Sequence, residues 1–345
     1  MMPCTAGVSI ASAPEVRRPH IPCERVMLVT IGRTLAVLLI CVLFTAPWTA
    51  LAQAPRGAIY LTDMGNDRIV RINDITGTGW TVLRNRDAGV RQFPFQSGIT
   101  LDGAGRIYTT DAVNFRIVRV NDMTGAGWTA FGRRGTGTGE FEFAVGIAVD
   151  SNGRIYISDA TNHRIIRIND MTGAGWTTFG ARGAGVNQLN FPQGILVDRS
   201  GRIYIADALN DRIVRINDMT GAGWVAFGRL GAGVSQFEFP AGAAIDATGR
   251  IHVTDSSNDR VVRINDMTGA GWTAFGSIGT GVNQFSFPTG IFVDAAGRIY
   301  VSDEVHRIVR FNDMTGAGWT ALGSMGTGVN QFSFPSAIFV DGTGR

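Results

Sequence analysis

From Phe191 to Gly228 the chain reads FPQGILVDRSGRIYIADALNDRIVRINDMTGAGWVAFG. Four short runs rich in β-branched and aromatic residues stand out, separated by turn residues: GILVD (194–198), RIYIAD (202–207), RIVRIN (212–217) and WVAFG (224–228). They are called strands a to d below. Asp198-Arg199-Ser200-Gly201 is a tight turn, in which Asp can bond the backbone and Gly supplies positive φ. Nothing here keeps a 3.6-residue apolar period over ten residues, which removes the helical repeat families.

The unit recurs six times. Asp63, Asp111, Asp159, Asp207, Asp255 and Asp303 are each 48 residues apart, and Trp80, Trp128, Trp176, Trp224 and Trp272 keep the same step, with Trp319 one short. Four antiparallel strands per repeat of 40–50 residues is the pattern of a propeller blade. The first copy begins at strand b (57–63), and the chain ends just after a sixth strand a (337–341). The expected fold is therefore all-β: a six-bladed propeller of four-stranded antiparallel blades, closed by pairing the C-terminal strand with the first blade. Strand c places Arg212 and Arg215 three apart, on opposite faces of the blade. Asp207 and Arg212 flank the b–c turn and are expected to pair across it.

The pattern F-P-x-G-I-x-V-D-x-x-G-R-I-Y, followed by D-x-x-N-x-R, resembles the NHL-repeat family of β-propellers. Asn162-His163-Arg164 reproduces the namesake turn, and the resemblance runs over about residues 57–345. The last copy departs from it, because Asp303-Glu304-Val305-His306-Arg307 is shorter and lacks the Asn. The resemblance implies a propeller. Similar folds include lyases and calcium-dependent hydrolases, but their ligand sets have no matching positions here.

Ahead of the repeats, Met27 opens MLVTIGR, the apolar run LAVLLICVLF and then TAPWTALA. This reads as a secretory signal over 27–52, with Ala50 and Ala52 as the small residues before cleavage at Gln53. Residues 1–26 read as an over-long start, and 53–345 as the propeller. The apolar run is short for a membrane span. An exported protein is expected, periplasmic or extracellular, with no membrane span in the mature chain.

Composition narrows the chemistry. Past residue 52 there are 27 basic and 26 acidic side chains, so a nucleic-acid-coating surface is not indicated. There is no lysine, which excludes Schiff-base chemistry, and every positive charge is a guanidinium suited to bidentate pairing. Cys4, Cys23 and Cys41 all precede the repeats, leaving no thiolate there.

A residue present in all six copies serves the unit, whereas a unique site must sit where the copies differ. The repeated Asp of each b–c turn has an Arg four or five residues on, which points to structural pairing rather than calcium. The repeated Trp is expected to cover the blade edge. The G-x-G segments follow a strand but open no helix, so they are not phosphate loops. His163 and His306 fall on b–c loops of opposite blades and His252 in a strand, an arrangement poorly suited to one metal.

The residue before the strand a glycine should line the mouth of the central channel. Those residues are Ser97, Val145, Gln193, Ala241, Thr289 and Ser336, the last followed by Ala337 in place of Gly, and none of them is ionisable. The d–a loops differ more: Arg84, Arg86 and Arg91 in copy one, Arg133 and Arg134 in copy two, Arg182 in copy three, Arg229 in copy four, and none in copies five and six. This makes one sector of the mouth a candidate for an anionic partner, relieved by Asp87, Glu140 and Glu142. The expected function is non-catalytic binding or scaffolding of a protein, glycan or other envelope ligand through the d–a/b–c loop face, by a monomer without cofactor or metal. An enzyme of lyase or lactonase-like hydrolase type is the alternative. Nucleic-acid binding comes third, against the charge balance and the export signal.

Overall fold

Every strand b is apolar or small on both faces, so it must be covered on both sides. In Ile203–Asp207 all five residues are buried, as they are in Ile155–Asp159 and Ile251–Asp255. A lone sheet cannot cover both of its own faces, and a ring of sheets packed face to face does. The computed structural model of the chain describes residues 57–84 and 95–342. The proposed leader lies outside the described residues.

Six four-stranded antiparallel sheets are present. Blade four runs Pro192–Val197 (a), Ile203–Asp207 (b), Arg212–Ile216 (c) and Val225–Phe227 (d). Strand a starts two residues earlier than the sequence suggests, and strand d is shorter at both ends. The early start is set by a register shift between Pro192 and Ile195, a bulge that leaves Gln193 and Gly194 out of the ladder. The b–c turn closes through a three-residue 3-10 turn, Ala208–Asn210, with Asp211 in the left-handed region at φ 52°. The a strands are innermost and pack against one another around the axis.

Closure occurs as the repeat count requires. Strand a of blade one is the C-terminal Pro335–Asp341, which pairs antiparallel with Ala58–Asp63 in the register Ile59 to Val340 and Leu61 to Ile338. Between blades, Ile and Val side chains interlock. Ala148, Tyr156 and Ile165 of blade three bury against Ile195, Ile203, Ile205 and Val214 of blade four.

Two devices hold the inner ring tight. A Cβ at Gly194 would lie 2.5 Å from the Ala241 carbonyl oxygen, so glycine lets this a strand approach its neighbour; four other blades keep the glycine and blade one has Ala337. Beside it, a strand b hydroxyl stitches blade to blade. Thr110 Oγ1 accepts from Gly98 N–H at 2.8 Å and donates to the Val145 carbonyl of the next blade at 2.9 Å. Thr62, Ser158, Thr254 and Ser302 repeat this bridge. Blade four has Ala206 at that position and lacks the hydroxyl.

Candidate functional site

The site is built on the face where the b–c turns and d–a loops meet. Each b–c turn is organised by its buried Asp. The Asp207 carboxylate is fully buried and accepts from Arg212 Nε at 2.8 Å, Asn210 Nδ2 at 2.8 Å and Asn190 N–H at 2.6 Å. Burial pushes the Asp207 carboxyl up, opposed by those three donors. All six Asp–Arg pairs form, at 2.6–3.0 Å. Each of these carboxylates is spent on its turn, so the repeated Asp is structural.

The Arg of the pair also fixes the loop. Arg212 donates to the carbonyls of Ala184 at 2.7 Å and Gln188 at 2.9 Å. The loop tip lies at the rim against the c–d turn, where a Cβ on Gly221 would meet Asn187 Oδ1 at 2.6 Å. The root of each d–a loop therefore belongs to the mouth, and its tip to the rim. Trp224 lies under the Arg212 guanidinium at 5.4 Å, and Trp176 packs on Phe141 at 5.6 Å, so the Trp series covers the blade edge.

Ser97, Val145, Gln193, Ala241, Thr289 and Ser336 line the central channel, a cavity of about 190 Å³ narrowed further in by Ile99, Ile147, Ile195, Ala243, Ile291 and Ile338. The wall offers hydroxyls and one amide but no charged side chain. Among the described residues no three His, Cys, Asp or Glu side chains converge as a metal site would require.

The structure adds a feature that sequence reasoning passed over. Phe95, Phe143, Phe191, Phe239, Phe287 and Phe334 each stand at the start of a strand a, and together they form a collar at the channel mouth. Phe239 and Phe287 line the channel itself. Neighbouring rings meet at 6.2 Å (Phe95–Phe143), 6.2 Å (Phe143–Phe191) and 5.8 Å (Phe239–Phe287). Phe334 is 43% exposed.

Five of the six take positive φ, from 50° to 63°, which is unfavourable for a bulky side chain. A hydrogen bond from the preceding blade holds each of them there. The Phe N–H donates to Asp67, Asp211 or Asp259 Oδ1, or to His163 or His306 Nδ1, at 2.8–3.2 Å. The exception supports the rule. Blade two carries Phe115 where the acceptor should be, and Phe143 bonds its own Asp159 and is not among the positive-φ residues. At His163 burial and the nearby Arg182 keep the imidazole below its ordinary range, which suits an Nδ1 that accepts.

The arginine sector is less open than its sequence suggests. Arg133 pairs with Glu140 at 3.0 Å and Arg134 with Glu142 at 2.8 Å. Arg133 and the Gly137 N–H hold the Glu140 carboxyl below its usual range, the backbone donor being the larger cause. Arg134 also lies over the Phe115 ring at 5.2 Å. Arg182 and Arg229 are exposed at the roots of their loops, and Arg84 ends strand d of blade one. Arg86 and Arg91 lie outside the described residues, so the structure brings together no continuous cationic cluster among those it describes.

Where Arg134 and Arg182 stand in two loops, the next three carry Leu230, Ile278 and Met325. These occupy the same bridge position and are 63%, 73% and 70% exposed. The mouth is thus bounded on one side by Arg134 and Arg182 and on the other by an exposed apolar arc. The signal was present in the sequence, since the six Phe keep the repeat spacing. Identity between copies, however, reads as service to the fold rather than as a ring around one axis.

Fold and mouth together define a six-bladed all-β propeller with a channel-mouth site. The NHL repeat family model matches residues 141–168, and the same pattern returns in the other copies. The chain is a six-bladed β-propeller with an NHL repeat at residues 141–168. No curated protein matches it in sequence. Solved structures do match in fold. One is a chain in the crystal structure of a nidogen/laminin complex (17% identity, TM-score 0.62, 83% of this chain and 98% of that one). Another is a gluconolactonase from Xanthomonas campestris (16%, 0.55, 81% and 87%). A third is a streptogramin B lyase (14%, 0.54, 83% and 87%). At these identities the likeness is one of fold alone.

Proposed function

We propose that this protein is an exported, non-catalytic binding propeller that holds a protein partner at its channel mouth. The observation that carries this reading is the Phe collar flanked by Leu230, Ile278 and Met325. Solvent-exposed apolar side chains gathered around one concave mouth mark an interaction surface. Aromatic and Met side chains are those enriched at the centres of protein interfaces. A partner would seat one apolar side chain in the collar and lay flanking residues on the arc. The nidogen/laminin structure supports the reading to the extent that this fold occurs in a complex between proteins. The uncharged channel wall favours binding over the lyase or hydrolase alternative, because acid–base chemistry needs an ionisable group at the mouth.

The test is capture from the envelope fraction by the wild-type protein and by an Ile278→Ser, Met325→Ser, Phe334→Ser variant, each checked for an unchanged melting temperature. A partner retained by the wild type and lost by the variant is expected. Equal retention by both would refute the mouth as the site.

A further inference from the structure

The repeats supply an internal control for every position, and one blade fails it at the rim. A hollow of about 740 Å³ lies between the outer edge of blade three and the c–d turn of blade four. Two of its lining residues are Thr138, on the d–a loop, and Thr178, on strand d. At the first position the other copies have Val90, Val186, Val234, Val282 and Val329. At the second they have Val82, Ala130, Ala226, Ala274 and Ala321. Both hydroxyls are exposed, and both stand where every other copy has a methyl group.

Beneath them, two buried polar atoms of the same blade also lack partners. In blades two and five the corresponding Arg donates to the strand d threonine, Arg119 to Thr129 at 3.0 Å and Arg263 to Thr273 at 3.1 Å. In blade three both Arg167 Nε and Thr177 Oγ1 are buried without a partner. The unpartnered Nε recurs in other blades, but the unpartnered threonine hydroxyl is confined to this one among the described residues. A buried polar atom without a bond costs free energy unless something satisfies it. Across the hollow stands the Asp218 carboxylate, held below its usual range chiefly by the Thr220 hydroxyl, with Arg167 adding its charge. Trp176 supplies an apolar wall.

We propose that this groove is a saccharide-binding site that takes a neutral sugar unit of a glycan. Its chemistry selects that class. Arg167 donates, Asp218 accepts, and the threonines do either, which matches a ring of vicinal hydroxyls. The C–H groups of a sugar complement the indole wall. An anion would meet Asp218, a cation would meet Arg167, and an apolar ligand would gain nothing from hydroxyls in place of methyls. The site is separate from the mouth and does not depend on what binds there.

The experiment uses the full chain and a panel of glucose, galactose, mannose and N-acetylglucosamine with their β-linked oligomers, with glucuronic acid and inorganic sulfate as charged competitors, read by saturation-transfer NMR and titration calorimetry. The key variant is Thr138→Val with Thr178→Ala, which restores side chains already present in the other copies and so keeps the fold. Loss of both hydrogen bonds should weaken binding at least roughly tenfold. The Ile278→Ser, Met325→Ser, Phe334→Ser variant should bind sugar as the wild type does, so failure at the mouth and failure at the groove are told apart. No binding by any panel member, equal binding by the threonine variant, or preference for glucuronic acid or inorganic sulfate would each overturn the proposal.

Discussion

Replacing Asp207 with Ala tests whether the buried Asp at each b–c turn is the clamp of its blade. The carboxylate is fully buried and accepts three hydrogen bonds, while its partner Arg212 is 13% exposed. Removing it takes the acceptor from Arg212 Nε and the Asn190 N–H, while the Asn210 amide keeps the Gly183 carbonyl. Breaking a buried pair costs about 3–5 kcal/mol. The Ala184 and Gln188 carbonyls still accept from Arg212, so the low end, about 3 kcal/mol, is expected here. For a domain of this size that is a fall of roughly 6–12 °C in Tm. The control is Arg202→Ala, which breaks the Arg202–Asp198 pair at a site where Arg202 is 44% exposed. Such a surface pair is worth no more than about 1 kcal/mol. Thermal unfolding followed by circular dichroism at one scan rate reads both variants. If Asp207→Ala lost no more than Arg202→Ala, the clamp argument would be wrong for all six blades.

Two further outcomes follow from the same ring. Tyr108, Tyr156, Tyr204 and Tyr300 have raised pKa values because they are buried and, secondarily, lie beside a carboxylate of the a–b turn, with Tyr300 pushed up to about 12. A pKa raised on folding gives stability that is complete below the unfolded value, about 10, and is lost as pH rises through the folded one. Melting temperature should therefore hold up to about pH 10 and fall towards pH 12, in step with tyrosinate absorbance, and a flat profile across that window would contradict the assignment. Ala206→Ser should supply the hydroxyl bridge that blade four lacks and raise stability by about 0.5–1.5 kcal/mol; a lower Tm would mean the site has no room for it.

Much of the architecture was legible in the chain because a propeller is written in short range. Strand lengths, Asp and Gly turns and the 48-residue period are local properties, and the repeat count with its missing first strand fixed how the ring closes. The Asp–Arg pairs were legible for the same reason, since each pair lies four or five residues apart across one turn. The collar was not. Phe95 and Phe239 are far apart in sequence and share a mouth only once six blades have been wrapped about an axis. Nor could sequence show that Arg133 and Arg134 face Glu140 and Glu142, or that the loop tips leave the mouth for the rim. The paths of those loops are set by contacts with Arg212 and its counterparts. Thr138 and Thr178 show the division most plainly. Their departure from the other copies is visible in the sequence, but only the packing of blade three beside blade four places both in one groove with Arg167 and Asp218. Local chemistry determined the blade, and the closing of the ring decided which of its side chains face a ligand together.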